Sequence, residues 1–378
     1  MPYRFAFVME QTLGQVTHTQ NFQQWVAKDQ DVAATWIPVS FDEPDYWRET
    51  PVVRTNWTLR ASLRARSRVQ ALLRNGGLDG LFFHTQVTAL FAHGIMGRVP
   101  TVVSMDATPI NFDSIGLPYN HRPSAYAPVE ALKNALTRRT FKRAAKLVVW
   151  HDWGKRSLVA DYGIPTENVE VIPPGIDLQR WCVVQRPGHS GDRVRLLFVG
   201  GDFCRKGGET LLAAFRERLA AECELDIVTR EPVHIDGLPG VRVHHNIGPN
   251  APSLIALYER ADIFVFPTQA DVLPLAISEA LACGLPVIST AVGAIREQIE
   301  EGVTGLLVPL RDPAALSEAT LSLVRDPARR LRMGMAARQV AETRFNGARN
   351  YRALLDVCKN AVDMSKRRTP GVSRFKPA

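Results

Sequence analysis

Residues 261–290 read ADIFVFPTQADVLPLAISEALACGLPVIST, and the fold turns on this stretch. Ile263 to Phe266 is a short apolar run of strand-forming residues, stopped by Pro267 and the polar residues after it. Leu275 to Cys283 favours helix, and Gly284 with Pro286 closes it. Strand, loop, helix, turn and strand make one repeat of a parallel α/β sheet. Glu279 is the only charge between Leu275 and Cys283, and a carboxylate in so apolar a helix is costly unless a donor meets it. Asp271 stands earlier, in the loop that feeds the helix. Both acids fall where the N–H groups of a helix start point outward, which suits a phosphate and the hydroxyls attached to it. The plainer alternative is a buried Glu bonded to nearby backbone and a loop Asp acting as a cap.

The same alternation extends in both directions. Tyr3–Met9, Trp36–Val39, Gly80–Phe83, Thr101–Met105, Leu147–Trp150 and Val169–Ile172 read as strands, with helices such as Asn21–Lys28 and Lys155–Tyr162 among them. A second series runs from Val194–Val199 through Leu225–Val228, Val241–His244 and Val287–Ser289 to Gly305–Val308. Between the series, VVQRPGHSGDR at 183–193 is the expected linker. The fold class is α/β, with two doubly wound, Rossmann-like domains facing each other across a cleft, over residues 1–182 and 190–344. Helix then continues to Asn360, ahead of a basic tail expected to be loose.

Composition narrows the function. The 378 residues can bury two cores. No run of eighteen apolar residues occurs, and the N-terminus enters a strand pattern directly, so neither a membrane span nor a signal peptide is expected. The five cysteines are scattered without a C-x-x-C pair, which argues against a disulfide framework or a zinc site and fits a reducing cytoplasm. The net charge of +8 gathers in two helical stretches, one with Arg60, Arg64, Arg66, Arg68 and Arg74, the other with Lys133, Arg138, Arg139, Lys142, Arg143 and Lys146. They read either as solvated faces or as surfaces for an anionic bilayer or substrate. Without a nucleic-acid motif or an interleaved aromatic stripe, nucleic acid is not an expected partner.

Several residues fall where a parallel sheet binds ligands. Gly14 follows the first strand, with His18 shortly after it; His84, Thr85 and Asp106 follow later strands. A lone His at such a place also has an ordinary structural reading. In GGDFCRKGG at 200–208, glycines on both sides of Arg205 and Lys206 let backbone approach a ligand while two cations meet its charge. The spacing is neither that of the P-loop nor that of the dinucleotide fingerprint. This turn and the Asp271 loop open on one sheet edge, so Arg205, Lys206, Asp271 and Glu279 can surround one ligand. Cations for a diphosphate, with acids for ribose and sugar hydroxyls, describe a nucleotide sugar.

Taken together, VGGDFCRKGGETLLAAF, DIFVFPTQADVLPLAISEALACGLPVIST, VGAIREQIEEGVTGLLVPLRDPAAL and VIPPGID resemble the retaining glycosyltransferases of family 4, which have the GT-B fold. The resemblance is strongest from Leu196 to Leu323 and looser at LGQVTH and WHDWGKRSLVADYGIP. It implies transfer of a hexose-type sugar, with retention, from a UDP- or GDP-sugar to a hydroxyl of a glycan, a lipid-linked acceptor or a small molecule. It also implies that Arg205 and Lys206 hold the donor diphosphate, Glu279 the ribose and Asp271 the sugar. Gly14 is then near the reaction centre, and the last helix, within about 345–378, crosses back to complete the first domain. Gly201, Leu273 and Leu275 join the donor set, Thr229 and Ile247 the base pocket, and His18, His84 and Thr85 the acceptor side. No metal cofactor is expected, because the cations take its role.

Departures from the family pattern define the open questions. Asp271 replaces a Glu, Val272-Leu273-Pro274 replaces a Gly-aromatic-Gly pattern, and Pro274 offers no N–H. Gly201 stands where many members carry arginine, which shifts charge neutralisation toward Arg205. Met105-Asp106 replaces His-Asp, so Asp106 joins Arg205, Lys206 and Asp271 as a catalytic candidate. A changed sugar or acceptor, a nucleotide-sugar epimerase of the same architecture and a weakened nucleotide-sugar-binding protein all stay open. The expected location is cytoplasmic, with peripheral contact at the inner face of a membrane.

Overall fold

A computed structural model describes residues 1–12, 14–40, 43, 56–121, 126–183, 193–235 and 237–368. The expected linker and the end of the basic tail lie outside the described residues, apart from the linker's ends. The chain forms two units: residues 1–110, 123–174 and 348–378 in the first, and 111–122 with 175–347 in the second. The change of unit expected at residue 182 thus falls after Pro174, and a short segment of the N-terminal half, 111–122, packs with the second unit. Within that unit the Tyr119 ring lies 4.2 Å from the Arg205 guanidinium. Local periodicity says nothing about such a long-range contact.

The first unit holds a six-stranded sheet of β1 (Tyr3–Glu10), β2 (Val32–Val39), β3 (Gly80–His84), β4 (Thr101–Met105), β5 (Lys146–Val149) and β6 (Val169–Val171). All pairs are parallel, in the order β2-β1-β3-β4-β5-β6. Side chains alternate across each strand. Phe5, Phe7 and Met9 therefore meet one helical layer, with Phe22 and Val26, while Ala6 and Val8 meet the other, with Ala61, Ala65 and Val69. The C-terminal helix Gly347–Arg368 does cross back, as the family resemblance implies. Its Tyr351, Leu354, Leu355, Cys358, Ala361 and Val362 recur at helical spacing and bury against Phe5, Phe7 and Phe82.

Two expectations for this unit need correction. The helix expected at Asn21–Lys28 starts earlier and spans Gln15–Val26, so His18 is helical. Gln15, His18, Thr19 and Asn21 are buried polar residues on its inner face, and polar residues turned inward hide an apolar period. The first basic stretch, in the helix Trp57–Asn75, is not a solvated or lipid-facing face throughout. Arg60 and Arg64 are each 4% exposed. Arg64 donates to the carbonyl of Glu43 at 2.9 Å and pairs with its carboxylate at 3.3 Å, and Arg68 donates to the carbonyl of Pro38 at 2.6 Å. These arginines tie the helix to the chain around the end of β2.

The second unit repeats the design with β7 (Val194–Val199), β8 (Cys223–Val228), β9 (Val241–His244), β10 (Ile263–Phe266), β11 (Val287–Thr290) and β12 (Gly305–Val308). Its parallel order is β12-β11-β10-β7-β8-β9. β10 and β11 are buried along their whole length, which explains their unbroken apolar runs.

Candidate active site

Each sheet reverses its winding once, at β1/β3 in the first unit and at β7/β10 in the second. Loops leaving the carboxyl ends of the strands diverge at such a point, and the crevice between them is where α/β sheets bind ligands.

In the second unit that crevice lies between Gly200–Gly208 and Pro267–Leu275. Gly207 has φ +84° and precedes the helix Gly208–Ala214; a Cβ on it would lie 1.9 Å from the carbonyl oxygen of Pro267. Only glycine lets the two loops approach this closely. Next to it, Lys206 forms an ion pair with Asp271. Their side chains are 16% and 13% exposed, so water screens the pair little. Burial lowers the pKa of Lys206, and the Asp271 carboxylate opposes that shift.

Arg205 does not stand free beside Lys206, and its side chain bridges two loops of the second unit. Its Nε donates to Asp202 at 2.8 Å and its Nη1 to the Ala270 carbonyl at 2.9 Å, with Tyr119 stacked on the guanidinium. The side chain is 6% exposed. It ties the glycine-rich turn to the loop after β10.

Glu279, inside the helix Leu275–Ala282, is 5% exposed and accepts a hydrogen bond from Tyr258 at 3.1 Å. Burial raises its pKa from 4.5 to about 7, against the opposing effect of the Tyr258 bond. The folded chain therefore binds a proton there that the unfolded chain has lost. That contribution to stability is complete below 4.5 and disappears as pH rises through about 7. Between about pH 5 and 8 the wild type should lose roughly 1–3 kcal/mol of stability relative to Glu279→Gln. Denaturant midpoints measured across that range would check this, and parallel pH curves for the two proteins would reject it.

The rest of the expected donor set is dispersed around the same edge. Leu273 is buried, and Leu275 opens its helix behind Pro274, whose carbonyl accepts from Gln298 at 3.1 Å. Thr229 is buried after β8, donating its N–H to the His244 carbonyl at 3.2 Å. Ile247 is half-buried in the loop after β9. Gly201 follows β7, beside the guanidinium of Arg230.

At the switch point of the first unit a polar chain runs inward. Asp106, after β4, accepts from Gln15 Nε2 at 2.8 Å and from the Ala107 N–H at 2.9 Å. Gln15 Oε1 meets His84 Nε2 at 2.7 Å. The His84 ring lies 4.7 Å from that of His18, whose Nδ1 meets the Tyr351 hydroxyl at 3.3 Å. Burial, then the nearby Glu10 charge, raises the Asp106 pKa to about 6. Burial lowers His84 to about 3 and holds His18 well below its usual value. Both rings are neutral near pH 7, so they orient hydrogen bonds and do not neutralise an anion. Thr85 donates to Glu10, which also accepts from Thr12 at 2.6 Å. Gly14 is the exposed cap of its helix, with φ −72° and open space where a Cβ would sit.

The structure thus groups Lys206 with Asp271 in the second unit, and Asp106, His84 and His18 in the first. Sequence reasoning missed Gln15, Glu10 and Tyr258. Glu10 ends β1, and Gln15 follows Gly14, so the rule of polar residues at strand ends could have found them. Tyr258 left no such signal, because its partner lies on another helix. Among the described residues no group of three or more His, Cys, Asp or Glu side chains could hold a metal ion.

Comparison with known proteins agrees with this geometry. Residues 14–180 match the family described as Glycosyltransferase Family 4, and residues 193–326 match Glycosyl transferases group 1. The chain is 31% identical over 232 residues to D-inositol 3-phosphate glycosyltransferase 1 of Catenulispora acidiphila, covering 54% of this chain and 55% of that one. It spans about half the length of the first curated relatives it matches. Sucrose-phosphate synthase from Thermosynechococcus elongatus has a similar fold, with a TM-score of 0.75 at 18% identity over 96% of this chain and all of that one. Anabaena HepE in complex with UDP-glucose is similar at a TM-score of 0.68 and 13% identity, over 94% of this chain and 99% of that one.

Proposed function

This chain belongs to the family-4, group-1 glycosyltransferases, and on that premise we propose that it moves a sugar from a nucleoside-diphosphate sugar to an acceptor hydroxyl. The observation that carries this is the Lys206–Asp271 pair at the switch point of the second sheet. In the reading proposed here the pair opens when donor binds, so that Lys206 turns to the diphosphate and Asp271 to the sugar hydroxyls. Breaking the bond from sugar C1 to the diphosphate oxygen leaves charge on the phosphate, and a cation already in place stabilises that charge more in the transition state than before it. The acceptor oxygen bonds to C1 as that bond breaks. Its proton passes to the departing diphosphate, and the anomeric configuration is retained. Asp106, ionised above about pH 6 and held by Gln15, orients a hydroxyl on the acceptor side. The HepE complex supports a uridine donor, though its likeness to this chain is one of fold.

Incubating the protein with UDP- and GDP-hexoses over a panel of polyol, glycan and lipid-linked acceptors tests the proposal, with product configuration read by NMR. Conversion of donor alone into its epimer would support the epimerase instead, and donor binding without turnover on any acceptor would support the silent binding protein. The site as proposed takes no divalent ion, so a chelator should leave the transfer rate unchanged.

Peripheral contact with anionic lipid, at a cytoplasmic membrane face, is assigned to the helix Ala127–Arg143. Tyr126, Val129 and Leu132 are exposed at its start, while Arg138, Arg139, Lys142 and Arg143 are exposed further along. No helix among the described residues is long and apolar enough to cross a membrane. Co-sedimentation with vesicles should require anionic lipid, weaken with salt and fall in Leu132→Asp. Equal binding to neutral vesicles would remove the idea.

A further inference from the structure

We infer that Arg230 is the second cation of the donor site and occupies the place a side chain at position 201 would take, an inference that rests on the donor reading above. A Cβ built on Gly201 would lie 2.8 Å from Arg230 Nε, 2.9 Å from Nη2 and 3.2 Å from Cζ. The guanidinium is therefore laid over the bare face of Gly201. On the neighbouring residue, a Cβ at Gly200 would meet Lys206 Cβ at 2.9 Å. Lys206 and Arg230 thus flank the same two-glycine step.

The placement follows from the sheet. β7 and β8 are adjacent and end in register at Val199 and Val228, so Gly201 and Arg230 leave the same edge side by side. The loop that carries Arg230 is pinned there. The Glu231 carboxylate accepts from the Phe203 N–H at 2.8 Å, and the Glu231 N–H donates to Thr229 Oγ1 at 3.3 Å. The nearby acids are already engaged, Glu231 by that N–H and Asp202 by Arg205. Arg230 is exposed, and among the described residues no hydrogen bond or ion pair holds its guanidinium. A planar fork of donors left available beside a glycine step fits a diphosphate, which accepts two parallel N–H bonds. Arg205, whose Nε is committed to Asp202 and whose Nη1 is committed to the Ala270 carbonyl, has less of that freedom.

Calorimetric titration with UDP and GDP, with uridine and guanosine as uncharged controls, tests this. Arg230→Ala should bind its diphosphate roughly ten- to a hundredfold more weakly, the loss of a charge-assisted bond, with nucleoside binding and the thermal midpoint unchanged. The exchange variant Gly201→Arg/Arg230→Gly should recover most of that loss, because Gly201 does not have a positive φ and tolerates a side chain once Arg230 is gone. Wild-type affinity in Arg230→Ala would overturn the inference and leave the donor reading intact. Failure of the wild type to bind either diphosphate would overturn both. An exchange variant as weak as Arg230→Ala would overturn the equivalence of positions 201 and 230.

Discussion

Lys206→Ala is expected to slow sugar transfer by about a hundred- to a thousandfold, the usual cost of removing one preorganised group that stabilises a developing oxyanion. The substitution also strands Asp271, whose side chain is 13% exposed in the pair. Removing one partner of a buried pair costs roughly 3–5 kcal/mol of stability, because the remaining charge has no counterion. The two effects separate by experiment. The double variant Lys206→Ala/Asp271→Asn should regain much of the stability and none of the rate, whereas Lys206→Arg should keep the stability and part of the rate. Rates and unfolding midpoints on all three proteins make the check. A double variant restored in rate would mean that Lys206 matters only for packing, and the proposed chemistry would fall with that result.

The second large effect is on folding and needs no functional assumption. Gly207→Ala should destabilise the second unit by about 3 kcal/mol or more, combining left-handed backbone strain with a steric overlap. Its Cβ would sit 1.9 Å from the Pro267 carbonyl oxygen and 2.5 Å from the carbonyl carbon. The neighbour is backbone at the end of β10, a fully buried strand, so it has little freedom to yield. Gly14→Ala is the control, since Gly14 has φ −72° and open space around it. Denaturant unfolding of the two variants would show a shifted midpoint only for position 207. Equal midpoints would mean that the loops relax, and the closeness of the two loops would no longer explain the glycine.

Strands were legible because each is a short apolar run bounded by Gly, Pro or polar residues. Ile263–Phe266 and Val287–Thr290 are buried throughout and read without ambiguity. The start of the helix Gln15–Val26 is hidden in the sequence because the residues it buries first, Gln15 and His18, are polar. Helical patterning assumes that buried means apolar, and the assumption fails where a helix end faces a site. The basic helix Trp57–Asn75 misled in the opposite sense. Arg60 and Arg64 are charged and buried, the second held by the carbonyl and carboxylate of Glu43.

The sequence by itself determined that two parallel sheets form, that Gly200–Gly208 and the Asp271 loop leave the same edge of one of them, and that the family is that of the glycosyltransferases. The first two rest on local spacing, which strand periodicity and glycine positions report directly, and the third on the motifs the chain shares with the family. Which cation stays available was decided only in the tertiary structure. Arg205 and Lys206 are chain neighbours with the same formal charge, yet one braces Asp202 and Ala270 while the other pairs with Asp271. Arg230, absent from the motif, lies on Gly201 because β7 and β8 end side by side. The reason is physical: a charge's role depends on which groups compete for it in space, and in this fold the competitors come from strands far apart in the chain.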